Sequence, residues 1–595
     1  MQPNETTAVL IVGAGPAGLV TAIGLARHGV RSMVIERHPS TSIFPRATGV
    51  STRSMEIFRG WRIDDDVRRG GWRVIPRGVT VRTLADRDPI EGPLGFPDED
   101  ACRLVSPALA AVSPQDHLEP VLVEHYRSLG MGEIRFSTEL VSFEQGADGI
   151  SAIVRDRSSG EERLVRSRYL VGADGHRSTV RRSLEIPMDG PADLGQYLSI
   201  LFRADLRSVL GDDLYGLYMI AADESGSEGA PNADKPVAGA SSGRPMPPAG
   251  PPPPTVLVPS GADDRFVLAV PLPAGIDDAA IQLMFPPERC LEMVRAAAGM
   301  PDLDVEILAR NAFAFSAQVA ARVRDGRAFL VGDAAHRMTP RGGRGMNTAI
   351  ADAFDLGWKL AWVCRGLAGD ALLDSHATER GPIGRRNVEL SMVPGGDGSD
   401  DGLIEDLGWV VSSAVIVDAG DPSAGPTPTT GAPVRIDGAF VPDARPGARA
   451  PHAWLEAGAS GSTTRISTLD LFGRGLVVLT AGASGPWRAA ATTLVSAGGR
   501  DLPIAVHAVG VGLRDVEGTF ASAYGLEPGG AVLVRPDGVV AWRSRSLPED
   551  PERALASAVA ISLGRGPDAP RASLAPAPAT APAASGAKMD PAVAA

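Results

Sequence analysis

Three glycine-centred stretches, each set directly after a short apolar run, stand in one order along this 595-residue chain. The first is Gly13-Ala14-Gly15-Pro16-Ala17-Gly18, which follows the run 8–12 and is succeeded by Glu36. The second is Gly172-Ala173-Asp174-Gly175 and the third is Val331-Gly332-Asp333-Ala334-Ala335-His336. Residues 8–12 read as a buried strand. Leu19, Ile23 and Ala26 then recur at helical spacing, Gly29 ends that helix, and residues 31–36 read as a second strand. In such a βαβ unit Gly13 permits the tight turn, Gly15 lets backbone approach a pyrophosphate, and Gly18 allows close helix–strand packing. The helix start, beginning near Ala17, offers free N–H groups and about half a positive charge to phosphates. Glu36, ending the second strand, is placed to accept hydrogen bonds from a ribose. Any one stretch alone is a weak signal; the ordered set points to a resident extended dinucleotide, FAD.

The length suggests about three or four domains at ~150 residues each, and 44% hydrophobic residues suffice for large cores. A formal charge of −13 excludes the basic footprint of nonspecific nucleic-acid binding. Cys102, Cys290 and Cys364 are too few and too far apart for a disulfide framework or a CxxC pair, which suits a reducing cytoplasm. Residues 8–26 are nearly long enough to span a bilayer, but Gly-Ala-Gly-Pro interrupts them and no basic region precedes them. No membrane association is expected, and the histidines lack metal-site spacing.

Further strands are read at 140–143, 150–154 and 164–171, and again at 196–203 and 265–272. Between the last two, residues 222–254 are rich in Gly, Ser, Ala and Pro, and are expected to form a mobile insert. From Asp333 onward the pattern is helical, with Ile350, Phe354, Trp358 and Ala361 on one face. Residues 405–436 read as a linker and 567–595 as a disordered tail. The module 437–566 has strands at 476–480, 504–509, 531–534 and 539–543, a helix at 487–497, and a Pro536-Asp537-Gly538 turn.

Asp333 alone would serve equally as a helix N-cap or as a ribityl ligand. Pro340-Arg341-Gly342-Gly343-Arg344-Gly345-Met346-Asn347 tips that balance, because bare backbone N–H groups would there meet an anionic ring edge. Asp174-Gly175, taken alone, is as much a turn as a site.

On these residues the chain resembles the aromatic flavoprotein monooxygenases, the group of p-hydroxybenzoate hydroxylase and phenol hydroxylase, over roughly residues 8–400. The resemblance implies an α/β fold with α+β elements: a Rossmann-like FAD-binding domain (1–188 and 308–404) interleaved with a β-sheet substrate domain (189–307). It implies that Asp174 serves FAD and nicotinamide, and that Asp333 binds the ribityl chain. Arg46 resembles the arginine beside the flavin and Gln115 a ribityl contact, while Pro340, Gly343, Gly345, Met346 and Asn347 border the ring. Gly13, Gly15, Ala17, Gly18, Glu36 and Arg37 complete the expected FAD contacts. Gly447-Ala448-Arg449-Ala450-Pro451-His452, Asp470-Leu471-Phe472-Gly473 and Val534-Arg535-Pro536-Asp537-Gly538 resemble the C-terminal thioredoxin-like α/β domain of phenol, polyketide and antibiotic hydroxylases.

The activity so implied is NAD(P)H- and O₂-consuming hydroxylation of a phenolic or polycyclic, polyketide- or antibiotic-like substrate through a flavin C4a-hydroperoxide. NADH or NADPH binds transiently, since no second GxGxxG exists. The protein is expected to be a monomer or homodimer, with its substrate lying against residues 196–310. No residue is assigned as catalytic. The rivals are a Baeyer–Villiger oxygenase, a non-catalytic flavin or ligand carrier, and a halogenase; Trp72-Arg73-Val74-Ile75-Pro76 is out of register with the halogenase motif. Gly239-Ala240-Ser241-Ser242-Gly243 fits a hydrolase elbow but has no strand before it. Arg68-Arg69, Arg73 and Arg77, after Asp64-Asp65-Asp66, read as a solvated, self-neutralising surface.

Overall fold

The computed structural model describes residues 5–565, apart from 87, 95–96, 98, 212–213, 222–253, 274–275, 277, 394–401, 418–439, 459–462 and 499–501. The 222–254 insert (save residue 254), positions 418–436 of the linker, the Gly239–Gly243 hydrolase-like pentapeptide and the 567–595 tail lie outside the described residues.

Strand Glu5–Val12 buries its last four residues and pairs in parallel with Ser32–Ile35 on one side and Glu162–Gly172 on the other. Beyond these, Gly132–Arg135 and Ala328–Leu330 extend the parallel order. Strands far apart in sequence thus become neighbours, which is the doubly wound arrangement whose ligand crevice lies at the carboxyl ends of the strands. The apolar stretch 8–26 divides into this strand and the helix Pro16–Arg27. Among the described residues no helix is long and apolar enough to cross a membrane. Helix Pro16–Arg27 lies against the long helix Arg344–Cys364 so closely that a Cβ on Gly24 would come 3.1 Å from the Gly357 Cα.

The second sheet runs Glu306–Ala314, Gln196–Arg203, Arg265–Leu272, Thr255–Pro259, Leu214–Ile220, Val74–Val81, Ile90–Pro93. Its last two strands come from the first 188 residues, which the sequence assigns wholly to the FAD-binding part. Their Arg73-Val74-Ile75-Pro76-Arg77 lead-in hides them, because charge and proline interrupt the apolar alternation.

Residues 443–565 fold around a third sheet. Leu476–Ala481 and Ile504–Val509 pair in parallel across helix Gly485–Gly498, while Ala531–Val534 and Val540–Ser544 add antiparallel. Helix Pro551–Ser562 closes this thioredoxin-like order.

The segment after Asp333 departs from the helical expectation. Gly332–Ala334 is one 3-10 turn, His336–Arg337 is a short strand, and Arg341–Gly343 is a second 3-10 turn; the long helix begins only at Arg344. Positive φ at Gly332, Gly342 and Gly343 breaks the helical path there.

Candidate active site

The three signatures meet at one edge of the first sheet. Gly13 donates to the Ile35 carbonyl (2.8 Å), Ala173 to that of Val12 (2.8 Å) and Val331 to that of Gly172 (3.1 Å). Gly13 has φ +107°, and a Cβ there would come within 2.3 Å of the Ala173 oxygen. A Cβ on Gly18 would meet the Gly13 oxygen at 1.9 Å, and one on Gly332 would lie 3.2 Å from the Ala17 Cβ. The glycines therefore let three loops nest into one another. Above Gly15 the nearest atom to such a Cβ is Glu119 Oε1 at 3.8 Å, so its backbone faces open space. Arg181 joins the second signature to the third by donating to the Ala334 carbonyl (3.2 Å).

Glu36 accepts from the Ala14 and His38 N–H groups, each at 2.9 Å, which holds its carboxylate at the cavity rim. Arg37 and Arg46 are exposed beside it. The Gln115 N–H donates to Ala47, the residue after Arg46, at 2.8 Å, and the Gln115 side chain donates to Glu119 at 2.6 Å. Glu119 also accepts from the Ser42 N–H (2.6 Å); burial pushes its pKa up, against the pull of these hydrogen bonds. Sequence reasoning passed over Glu119, since one carboxylate on an amphipathic helix carries no periodic signal.

Asp174 and Asp333 turn out differently. Asp174 accepts from Ser178 Oγ (2.5 Å) and from the N–H groups of Thr179 (2.6 Å) and Val180 (3.1 Å). It therefore caps helix Thr179–Ser183, and burial raises its pKa. The Asp333 carboxylate is exposed to the cavity, close enough to Arg337 and His176 to raise the pKa of each against the lowering by burial.

Pro340, Gly343, Gly345 and Met346 line the cavity where the long helix begins. Asn347, expected along the ring edge, is not among the residues that line the cavity, and its amide is engaged within the fold. Its Nδ2 donates to the Gly49 and Gly343 carbonyls (3.0 and 2.8 Å), and its Oδ1 accepts from the Ser51 N–H (2.9 Å) and Ser54 Oγ (2.8 Å). It fastens the glycine loop to helix Thr52–Trp61.

From this edge a cavity of about 2420 Å³ runs to the inner face of the second sheet. That wall is formed by Tyr197, Leu217, Met219, Val256, Phe313 and Phe315, with Val74 and Pro76 from a strand the sequence did not reveal and Trp72 just before it. Tyr197 and Phe315 stack with centroids 4.6 Å apart. Arg68 departs from the solvated reading: it turns inward and donates to the Leu109 and Ala110 carbonyls. Arg69 pairs with Asp66, and Arg77 with Glu91, near the surface. A cavity this size exceeds the ~300–1,000 Å³ of a single drug-sized site. A nested glycine cradle at a helix start, a free carboxylate at Asp333 and the open backbone above Gly15 fit the phosphates and ribityl chain of FAD.

Residues 6–391 match the FAD binding domain family, and residues 443–566 match the aromatic-ring hydroxylase C-terminal family. The chain is 35% identical to the tetracenomycin A2 monooxygenase-dioxygenase of Streptomyces glaucescens, over 94% of this chain and 98% of that protein. It is 36% identical to the 4-methyl-5-nitrocatechol 5-monooxygenase of a Burkholderia species, over 95% and 98%. The crystal structure of aklavinone-11 hydroxylase in a ternary complex with FAD and aklavinone superposes with a TM-score of 0.78 at 32% identity, covering 95% of this chain and all of that one. With both family models matched and relatives at 35–36% identity covering nearly its whole length, the chain belongs to the FAD-dependent aromatic-ring monooxygenases, among the polyketide and antibiotic hydroxylases.

Proposed function

We propose that this monooxygenase hydroxylates a polycyclic phenolic or quinonoid substrate, taking electrons from NADH or NADPH bound transiently and oxygen from O₂. The observation that carries this reading is the continuity of the cavity, which joins the glycine cradle to an aromatic wall with room for several fused rings beyond the dinucleotide. The size and aromatic lining favour a polycyclic over a single-ring substrate.

Gly13, Gly15 and Gly18 with the start of helix Pro16–Arg27 would hold the phosphates, Glu36 the adenosine ribose, and Asp333 with Gln115 the ribityl chain. When bound, FAD supplies the oxygen-activating redox chemistry. The unpaired N–H groups that open helix Arg344–Cys364 stabilise negative charge on a ligand edge set against them. Tyr197, Phe313 and Phe315 orient a flat ring by stacking, and the apolar wall keeps water from the reacting centre. Asp174 keeps the second loop in shape through its cap.

The test is NADH and NADPH oxidation under air with a panel of anthraquinones and simple phenols. Oxidation stimulated by polycyclic members, with a product one oxygen atom heavier on the ring, is expected. Stimulation by single-ring phenols alone would overturn the substrate class. A lactone or ester product would replace hydroxylation with Baeyer–Villiger chemistry.

A further inference from the structure

Among the described residues, one arginine of the cavity's glycine loop has no counter-ion, and the inference from it rests on the polycyclic reading above. The glycine loop holds two arginines. Arg344 is neutralised by Glu405. Arg341 lines the cavity and is exposed, its side chain making one long hydrogen bond to the Met392 carbonyl (3.4 Å), and no carboxylate pairs with it among the described residues. The other arginines towards this end are engaged. Arg310 donates to Gln282 and the Phe285 carbonyl, Arg103 pairs with Glu99 at 3.0 Å, and Arg68 is held by two carbonyls.

Tyr197, whose ring stacks on Phe315, lines the same cavity as this loop. Burial raises the pKa of its phenol while the charge of Arg341 opposes that rise, so the guanidinium field reaches the sheet face. The two adjoining glycines, Gly342 and Gly343, both have positive φ, which fixes the loop in the turn that presents Arg341.

We propose that Arg341 is a specificity-determining residue that reads an acidic oxygen, carboxylate or ionised phenol, carried by the polycyclic substrate. A guanidinium on the cavity wall with no carboxylate partner among the described residues gains a charge-assisted, bidentate contact from such a group, which a neutral ring cannot give. The two residues divide the work: Tyr197 and its aromatic neighbours fix the ring plane, and Arg341 selects the edge that enters first.

The holoenzyme is titrated with rhein, a dihydroxyanthraquinone carboxylate, and with its methyl ester, following perturbation of the flavin absorbance. Both probes keep the phenols, so a carboxylate-specific gain separates the two acidic groups; a preference that instead follows ionisation of the shared phenols in both probes assigns the contact to phenolate. In either case Arg341→Gln is expected to weaken the ionised form about tenfold or more, and to leave the un-ionised ester within about twofold. Arg341→Lys, which keeps the charge but loses the fork, is expected to retain only part of the preference. Equal weakening of both probes in Arg341→Gln, or a wild type indifferent to ionisation, would overturn this assignment alone. If neither probe bound, the polycyclic reading would fall with it.

Discussion

Ionised side chains are used in opposite ways at the cavity and at the junction with the C-terminal module. At the junction, Lys359 lies between Asp355 and Glu379 (2.8 Å each), and Arg535 grips Glu379 through both its terminal nitrogens (2.8 Å each) and Asp537 at 2.5 Å. Ser413, His376 and Trp358 complete the set by bonding Glu379, Asp355 and Asp537. The cluster is buried, and its cations hold Glu379 well below the usual carboxylate range and lower Asp355 as well, despite the opposing effect of burial. At the cavity, by contrast, Asp333 and Arg341 are exposed and lack an ion-pair partner among the described residues. In this cluster each charge has an ion-pair partner, whereas the open charges at the cavity stand where a ligand is proposed.

The largest expected effect breaks the first half of this comparison. Arg535→Met strands the Glu379 and Asp537 carboxylates in the interior and should cost about 3–5 kcal/mol in urea unfolding. A loss below about 1 kcal/mol would mean that the junction relaxes or admits water.

The next prediction uses pH. His28 accepts a hydrogen bond from Trp362 Nε1 (3.1 Å), and burial, helped by Arg27, Arg365 and Arg474, lowers its pKa from 6.5 to about 3. The unfolded chain therefore binds more protons between those values, so stability rises with pH across that window. Each unit of acidification within it should remove up to about 1.4 kcal/mol. Thermal unfolding of His28→Gln should show a flatter pH slope, part of the remainder coming from the other histidines that burial lowers: His452, to about 4, and His117, His125, His176 and His507. An unchanged slope would place the acid sensitivity elsewhere.

The smallest effect concerns a cross-module pair near the surface. Arg59 donates twice to Asp470, each time at 3.0 Å, but both side chains are partly solvated. Arg59→Ala should cost under about 1 kcal/mol, and less at high salt. A loss matching that of Arg535→Met would erase the distinction between buried and exposed pairs at this junction.

What was legible in the sequence follows from range. Strands Gln196–Arg203, Arg265–Leu272, Ile504–Val509 and Ala531–Val534 lie where uninterrupted apolar runs between turn residues put them. The nesting of the three signatures was implicit in their glycines, whose missing Cβ atoms make room for neighbouring backbone. Less visible were features fixed by pairing across the chain. Val74–Val81 is recruited to the second sheet by Leu214–Ile220, which no local pattern announces. Arg535 and Glu379 are 156 residues apart, and each reads alone as an ordinary surface charge. Asp174 lines the cavity, as its motif suggests, but the three local donors that its carboxylate also serves were not visible in the sequence.

The contrast between closed and open charges is tested most directly at Asp333. Apoprotein carrying Asp333→Ala is titrated with FAD by calorimetry and unfolded in urea beside the wild type. The expected result is an apoprotein of unchanged stability, within about 0.5 kcal/mol, that binds FAD at least about tenfold more weakly. Undiminished FAD affinity would contradict the account, showing that the exposed carboxylate at the third strand end is not where the cofactor is held.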